Sequence, residues 1–354
     1  MTEEGKQAVA KARAILENYK GKKLRIMEVC GTHTHAIFKA GLRQLMPENV
    51  ELISGPGCPV CVTPADFIDE AVWLATEKKA VITTFGDLVR VPGSEMSLAG
   101  ARSEGADVVP VYTPIDAVEY AKTHPDREVV FLSVGFETTT PSACLAVQRA
   151  EKAGLKNFSI LTANKTMDEA YRALKDSVDA YIYPGHVCAI VGTRLTEELT
   201  GEGISGVVAG FTPSELVTAA ATLVELCSKS DEPFFRNCYP RVVTRDGSTA
   251  AKKLVEKYME PADAVWRGLG IIPKSGMVLR DEYAAFDARK KFSVPSFKAK
   301  NPPGCRCGEI LQGKCKPTDC PLFGKTCTPE HPVGACMVSQ EGTCAAYYQY
   351  GGVV

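Results

Sequence analysis

The chain has 354 residues, 45% hydrophobic and 23% charged, a length beyond that at which a single core usually stops growing and a composition ordinary for a globular protein. Its 41 basic residues against 42 acidic ones supply no basic footprint for nucleic acid and no strong field for steering charged partners. No apolar run of about 18 residues occurs, so no membrane-spanning helix is expected.

Residues 1–23 mix Glu3, Lys6, Lys11, Arg13 and Glu17 with Val9, Ala12, Ile15 and Leu16, the pattern of an amphipathic helix and not of a signal peptide. From Leu24 a unit then recurs: a short β-branched apolar run, a turn rich in Gly, Pro or Thr, and a helical pattern. The runs are Leu24 to Val29, Val50 to Ile53, Ala80 to Thr84, Val108 to Tyr112, Val129 to Val134, Phe158 to Thr162, Ala180 to Tyr183 and Gly206 to Ala209. A period of roughly 25 residues suits βα units and predicts α/β architecture with parallel sheets. Eight such strands suit one closed barrel or two four-stranded domains. Pro110 to Pro114 interrupts the series and favours two domains, at 24–113 and 114–213.

Beyond Ser214 the pattern is helical through Glu215 to Cys227 and Ala250 to Met259, and irregular from Gly268 to Gly276. Asn301-Pro302-Pro303-Gly304 then leads into a cysteine-rich tail. No sheet is evident here, and 214–354 reads as a third, mixed helical and loop domain held partly by a metal.

The residues with chemistry follow the strands. Cys30, Gly55-Pro-Gly-Cys58, Phe85-Gly-Asp87, Glu137, Asn164-Lys165-Thr166, Pro184-Gly-His186 and Gly210-Phe-Thr-Pro213 each come directly after a run. In open parallel sheets ligands bind beyond the carboxyl ends of strands, so these loops are expected to converge. The protein reads as cytoplasmic, and in that reducing compartment 14 cysteines point to metal ligands or redox centres, not to a disulfide scaffold.

In the tail, Cys320, Cys327, Cys336 and Cys344 offer four thiolates in a loop rich in Pro and Gly, a set that suits a [4Fe–4S] cluster or tetrahedral zinc. The lack of a close Cys-x-x-Cys knuckle there favours iron–sulfur. Cys305, Cys307 and Cys315 are candidates to replace a ligand or to form a redox partner. Cys58-Pro-Val-Cys61 at a strand end, opening a helix, has the setting of a reactive dithiol, against the plainer reading of two small buried residues. Cys30-Gly-Thr-His33-Thr-His35 sets a thiolate one turn before an imidazole, a pair able to hold iron, while His35 suits a structural place. His186 divides between lining the site and capping a turn, and Glu137 between a base and a helix-terminal carboxylate. Cys144, Cys188, Cys227 and Cys238, without close partners, read as small buried apolar residues.

Two formal matches fail in context. Gly201-Glu-Gly203-Ile-Ser-Gly206 runs from a helix into a strand, the reverse of a dinucleotide site, and Gly324-Lys325-Thr326 lacks the earlier glycine of a phosphate loop because Asp319 stands there.

With these residues in place the chain resembles the HypD family of hydrogenase maturation factors. The resemblance rests on Cys30-Gly-Thr-His33-Thr-His35, Gly55-Pro-Gly-Cys58-Pro-Val-Cys61-Val-Thr-Pro64, Gly135-Phe-Glu137-Thr-Thr, Pro184-Gly-His186-Val, Ala209-Gly-Phe-Thr-Pro213 and the segment from Pro317 to Cys344. It implies two α/β domains facing a cleft and a third carrying a [4Fe–4S] cluster, the whole acting as a scaffold on which the Fe(CN)2CO unit of [NiFe]-hydrogenase is assembled. It also implies a small HypC-type chaperone as partner and a HypE-type protein as cyanide donor. Carried over by position, Cys320, Cys327, Cys336 and Cys344 hold the cluster, Cys30 ligates the nascent iron with His33 beside it, and Cys58 and Cys61 form a thiol/disulfide pair. Two competing readings are a free-standing cluster-dependent disulfide oxidoreductase and a zinc-stabilised binding module.

Overall fold

The computed structural model describes residues 3–300 and 302–351. Met1 and Thr2 of the expected first helix, Asn301 of the turn before the tail, and 352–354 lie outside them. The architecture is α/β with two sheets. All eight apolar runs form strands: β1 Leu24–Glu28, β2 Val50–Ser54, β3 Val81–Thr84, β4 Val108–Pro110, β5 Val129–Gly135, β6 Phe158–Lys165, β7 Ala180–Pro184 and β8 Gly206–Ala209. Three more follow, β9 Phe235–Asn237, β10 Met259–Trp266 and β11 Gly270–Leu279.

The first sheet has the order β2-β1-β7-β8-β9 and is parallel throughout; the second has the order β10-β11-β6-β5-β3-β4. Strand pairing therefore divides the chain differently from the continuous segments 24–113 and 114–213. The chain places β1 and β2 in one sheet, builds β3 to β6 in the other, and returns for β7 to β9. Parallel strands buried on both faces are near-continuous apolar runs, interchangeable in sequence, so nothing local encodes which neighbour each one takes. The third region also departs from expectation. It contributes the antiparallel hairpin β10–β11, whose free strand pairs antiparallel with β6. Met-Glu-Pro-Ala-Asp-Ala-Val has few strand-forming residues, and its pairing to β11 makes it a strand despite that composition.

Alternation along the strands sorts the core. In β1, Leu24 and Ile26 pack with the helix Pro213–Lys229 and with Ala12 and Leu16 of the helix Glu3–Glu17. On the opposite face Met27 and Val29 join a core that includes Cys58, Cys61, Phe136, Trp266 and the tail cysteines. The two faces of β5 divide in the same way, Val130 and Leu132 against Val129 and Phe131. Among the described residues no helix is long and apolar enough to cross a membrane.

Candidate functional site

Cys30 follows β1 and caps the helix Gly31–Lys39. Beneath it lies Glu28, fully buried, whose carboxylate accepts from the Cys30 backbone N–H at 3.2 Å and from the Thr34 hydroxyl at 2.5 Å. Burial raises the Glu28 carboxyl above its usual range, against hydrogen bonds from Ser54, Thr34 and Cys30. Sequence reading passed over this residue, although a lone charge at the end of an apolar strand is itself a signal. Part of Cys30 reaches solvent, yet its enclosed thiol is pushed up to about 12 by burial, against backbone donors at His33 and Thr32.

The loop after β2 packs onto this one backbone to backbone at Gly57. Gly31 N–H donates to Gly57 C=O at 3.1 Å, and a Cβ on Gly57 would stand 2.1 Å from Cys30 N and 2.5 Å from Cys30 Cα. Gly57 thus brings Cys58 beside Cys30. Gly57→Ala should force the loops apart at a cost of about 1–3 kcal/mol, read as a fall in melting temperature that Gly201→Ala, open within 4 Å, does not share.

His33 is buried, and its Nε2 donates to Gly210 C=O at 3.0 Å, which leaves Nδ1 as an unpartnered lone pair. Burial lowers its pKa to about 4, so the ring is neutral near pH 7. The ring of Phe211 lies against His33 at 4.4 Å and against His186 at 3.8 Å, so the loops after β1, β7 and β8 meet around one aromatic side chain. His35 is held by Tyr350 at 2.7 Å, the structural place expected of it.

Glu137 follows β5 of the second sheet, and Tyr171 and Cys188 are charge neighbours of both Glu137 and Cys30. Its Oε1 accepts from Met167 N–H at 2.7 Å, its Oε2 is buried without a partner, and its neighbours include Ile190, Val191 and Lys252. Burial raises this carboxyl to about 7. The protonated form is favoured on folding, so stability is fully present below the unfolded value of about 4.3 and is lost as pH rises through 7. Glu137→Gln, which mimics the protonated acid, should gain about 2–3 kcal/mol over the parent at pH 8 and almost nothing at pH 4.5. Equal melting differences at the two pH values would count against it.

The thiols gather at the shared core. Cys58 caps the helix Pro59–Val62, and its Sγ accepts from Cys61 N–H at 3.3 Å. The Cys61 thiol, raised by burial, touches Cys336, and Cys336 Sγ lies 2.7 Å from Cys307 Sγ. A small hollow beyond them is lined by Cys305, Cys307, Cys320, Cys327, Cys336 and Cys344 with Ile310, Leu322, Phe323 and Met337. Its lining is therefore sulfur and hydrocarbon. As the side chains stand, no three His, Cys, Asp or Glu groups among the described residues chelate a single ion. Cys305 and Cys307 thus join the four expected tail cysteines, while Cys315 faces a different pocket with Arg25 and Lys314.

The tail also reaches back to Cys30. Glu341 accepts from the Thr32 hydroxyl at 2.9 Å and covers Gly31, and Ser339 donates to Asp87 at 2.9 Å. These tail contacts are invisible to motif reading because they join positions some 250 to 310 apart in sequence.

The family model described as "HypD: Hydrogenase formation hypA family" matches residues 5–351. The chain is 44% identical over 341 residues to the hydrogenase maturation factor HypD of Rhodobacter capsulatus, with 94% of this chain and 90% of that one covered. It is 44% identical to the protein of that name from Escherichia coli, covering 92% of this chain and 89% of the relative. To that from Azotobacter vinelandii it is 40% identical, covering 96% and 93%.

Proposed function

This chain belongs to the HypD family of hydrogenase maturation factors, and from that premise we propose that it is the cytoplasmic scaffold on which Fe(CN)2CO is assembled, with a HypC-type chaperone sharing the iron and a HypE-type protein donating cyanide. The observation that carries this reading is the continuity of its sulfur. Cys30 adjoins the Cys58 loop through Gly57, Cys61 touches Cys336, and Cys336 opens on a hollow lined by thiols.

The donors of this hollow, thiols set among hydrocarbon, suit a [4Fe–4S] cluster, which would supply low-potential electrons when bound; the thiols stand drawn together around about 10 Å³ and would spread to hold it. Cys305, Cys320, Cys327 and Cys344 are the four we assign to hold it, with Cys305 taking the place that spacing gave to Cys336. Cys307 and Cys336 are the more deeply buried, at 5% and 1% exposure, and Cys336 touches Cys61. Two sulfurs 2.7 Å apart cannot both be thiolates without strong repulsion, so this inner pair suits a dithiol that exchanges electrons with Cys58 and Cys61.

At the other end Cys30 receives the substrate iron. Glu28 fixes the backbone of Cys30, and neutral His33 presents a lone pair one turn away. The partner is expected to furnish a second thiolate. Deprotonating Cys30 at neutral pH requires a positive charge beside it, which the incoming iron supplies.

The test is infrared spectroscopy of protein purified anaerobically with the chaperone, where nitrile and carbonyl bands are expected. Stoichiometric zinc without iron or sulfide would instead identify a zinc-stabilised module. Turnover of a generic disulfide without any partner would identify a free-standing oxidoreductase.

A further inference from the structure

Arg267 sits at the turn between β10 and β11, only 7% exposed. Its backbone N–H donates to Val62 C=O at 2.7 Å, and its Nε and Nη2 both donate to Thr63 C=O, at 3.0 and 2.8 Å. Val62 and Thr63 directly follow Cys61. On its other side Arg267 lines a cavity of about 200 Å³ together with Cys305 and Cys307. The turn is locked onto the helix Cys307–Leu311: a Cβ on Gly268 would stand 2.2 Å from Gly308 Cα, and the Gln312 amide donates to Gly268 C=O at 2.5 Å. One residue therefore joins the dithiol loop, the hairpin of the second sheet and the cavity behind Cys305 and Cys307.

Among the described residues no carboxylate forms an ion pair with Arg267. Glu309, which lines the same cavity, is taken by Arg306. Carbonyl oxygens satisfy the hydrogen-bonding of a buried guanidinium but leave its charge uncompensated, a costly state unless negative charge lies close by. The thiols that share its cavity are Cys305 and Cys307.

We propose that Arg267 is the fixed counter-cation of the tail's thiol site, a positioning residue that clamps the Cys61 loop to that site and makes the bound cluster easier to reduce. The role rests on the cluster reading above. Four thiolates around the cluster carry net negative charge, one unit more after reduction, so a desolvated cation stabilises the reduced form most. Arginine suits the position because its planar fork grips one carbonyl twice and stays charged when buried.

The experiment is a potentiometric titration of the anaerobically purified full chain, followed by electron paramagnetic resonance. At the parent midpoint, Arg267→Gln should lower the ratio of reduced to oxidised cluster about tenfold, a shift of about 59 mV to more negative potential for a one-electron couple. Arg267→Lys, which keeps the charge, should shift by less than half as much. A loaded Arg267→Gln protein with the parent midpoint overturns the role, as does a lysine variant shifted as far as the glutamine one. If Arg267→Gln fails to hold iron, Gln312→Glu decides: a carboxylate in the same cavity should shift the midpoint in the same direction, and an unmoved midpoint overturns the role. Parent protein without iron and sulfide sinks the cluster reading and this role together, whereas a loaded parent with an insensitive potential sinks the role of Arg267 alone.

Discussion

Cys30→Ala should abolish the nitrile and carbonyl infrared bands of the anaerobically purified complex while leaving its iron–sulfur absorption unchanged. The split is expected because the two metal sites are served by different sulfurs. Cys30 is fixed by Glu28 and by the backbone contact with Gly57, and its thiol lines none of the hollow around Cys320 and Cys327. Alanine keeps the backbone N–H that Glu28 accepts, so the loop should hold its course, and the loss of bands reports a missing ligand and not a collapsed loop. Iron held by two thiolates, one from each protein, loses half of its soft anchorage when one sulfur is removed. Retained bands in this variant would refute the ligand role of Cys30. Loss of both signals would mean that the two sites are not independent.

The second large effect should appear in the tail. Cys327→Ser and Cys344→Ser should each lower iron and sulfide content by more than about tenfold, since a three-sulfur site with a hard hydroxyl no longer matches the cluster. Cys305→Ser should do the same, whereas Cys336→Ser should keep its iron and lose electron exchange with Cys58 and Cys61. The contrast follows from position. Both line the hollow, but Cys336 is buried and also contacts Cys61 and Cys307, while Cys305 is partly exposed. Metal and sulfide analysis of the four variants, with melting temperatures to show that each is folded, decides the matter. Iron retained by Cys305→Ser and lost by Cys336→Ser would return the fourth ligand to Cys336.

Much of this was readable without coordinates. Each β-branched run became a strand, because burial on both faces demands apolar residues whatever the neighbours are. The positions of Cys30, Cys58 and Gly210 beyond strand ends followed from the same βα rhythm, and so did their meeting at one edge of a parallel sheet, where Phe211 stands between His33 and His186. Glu137 followed the same rule from a strand of the other sheet; among the described residues it makes no hydrogen bond to the cysteine loops, and Tyr171 and Cys188 lie within reach of both it and Cys30.

The amino-acid sequence by itself determined the strands β1 to β8, the loops that carry chemistry and the family, since these depend on local pattern and on motifs that are contiguous in the chain. The tertiary structure alone decided which strands are neighbours, that Arg267 and Glu341 reach the thiols and the Cys30 loop, and that Cys61 touches Cys336. Those facts depend on contacts between residues up to about 310 positions apart. Such contacts are made by packing of complementary surfaces, and spacing along the chain carries no record of them.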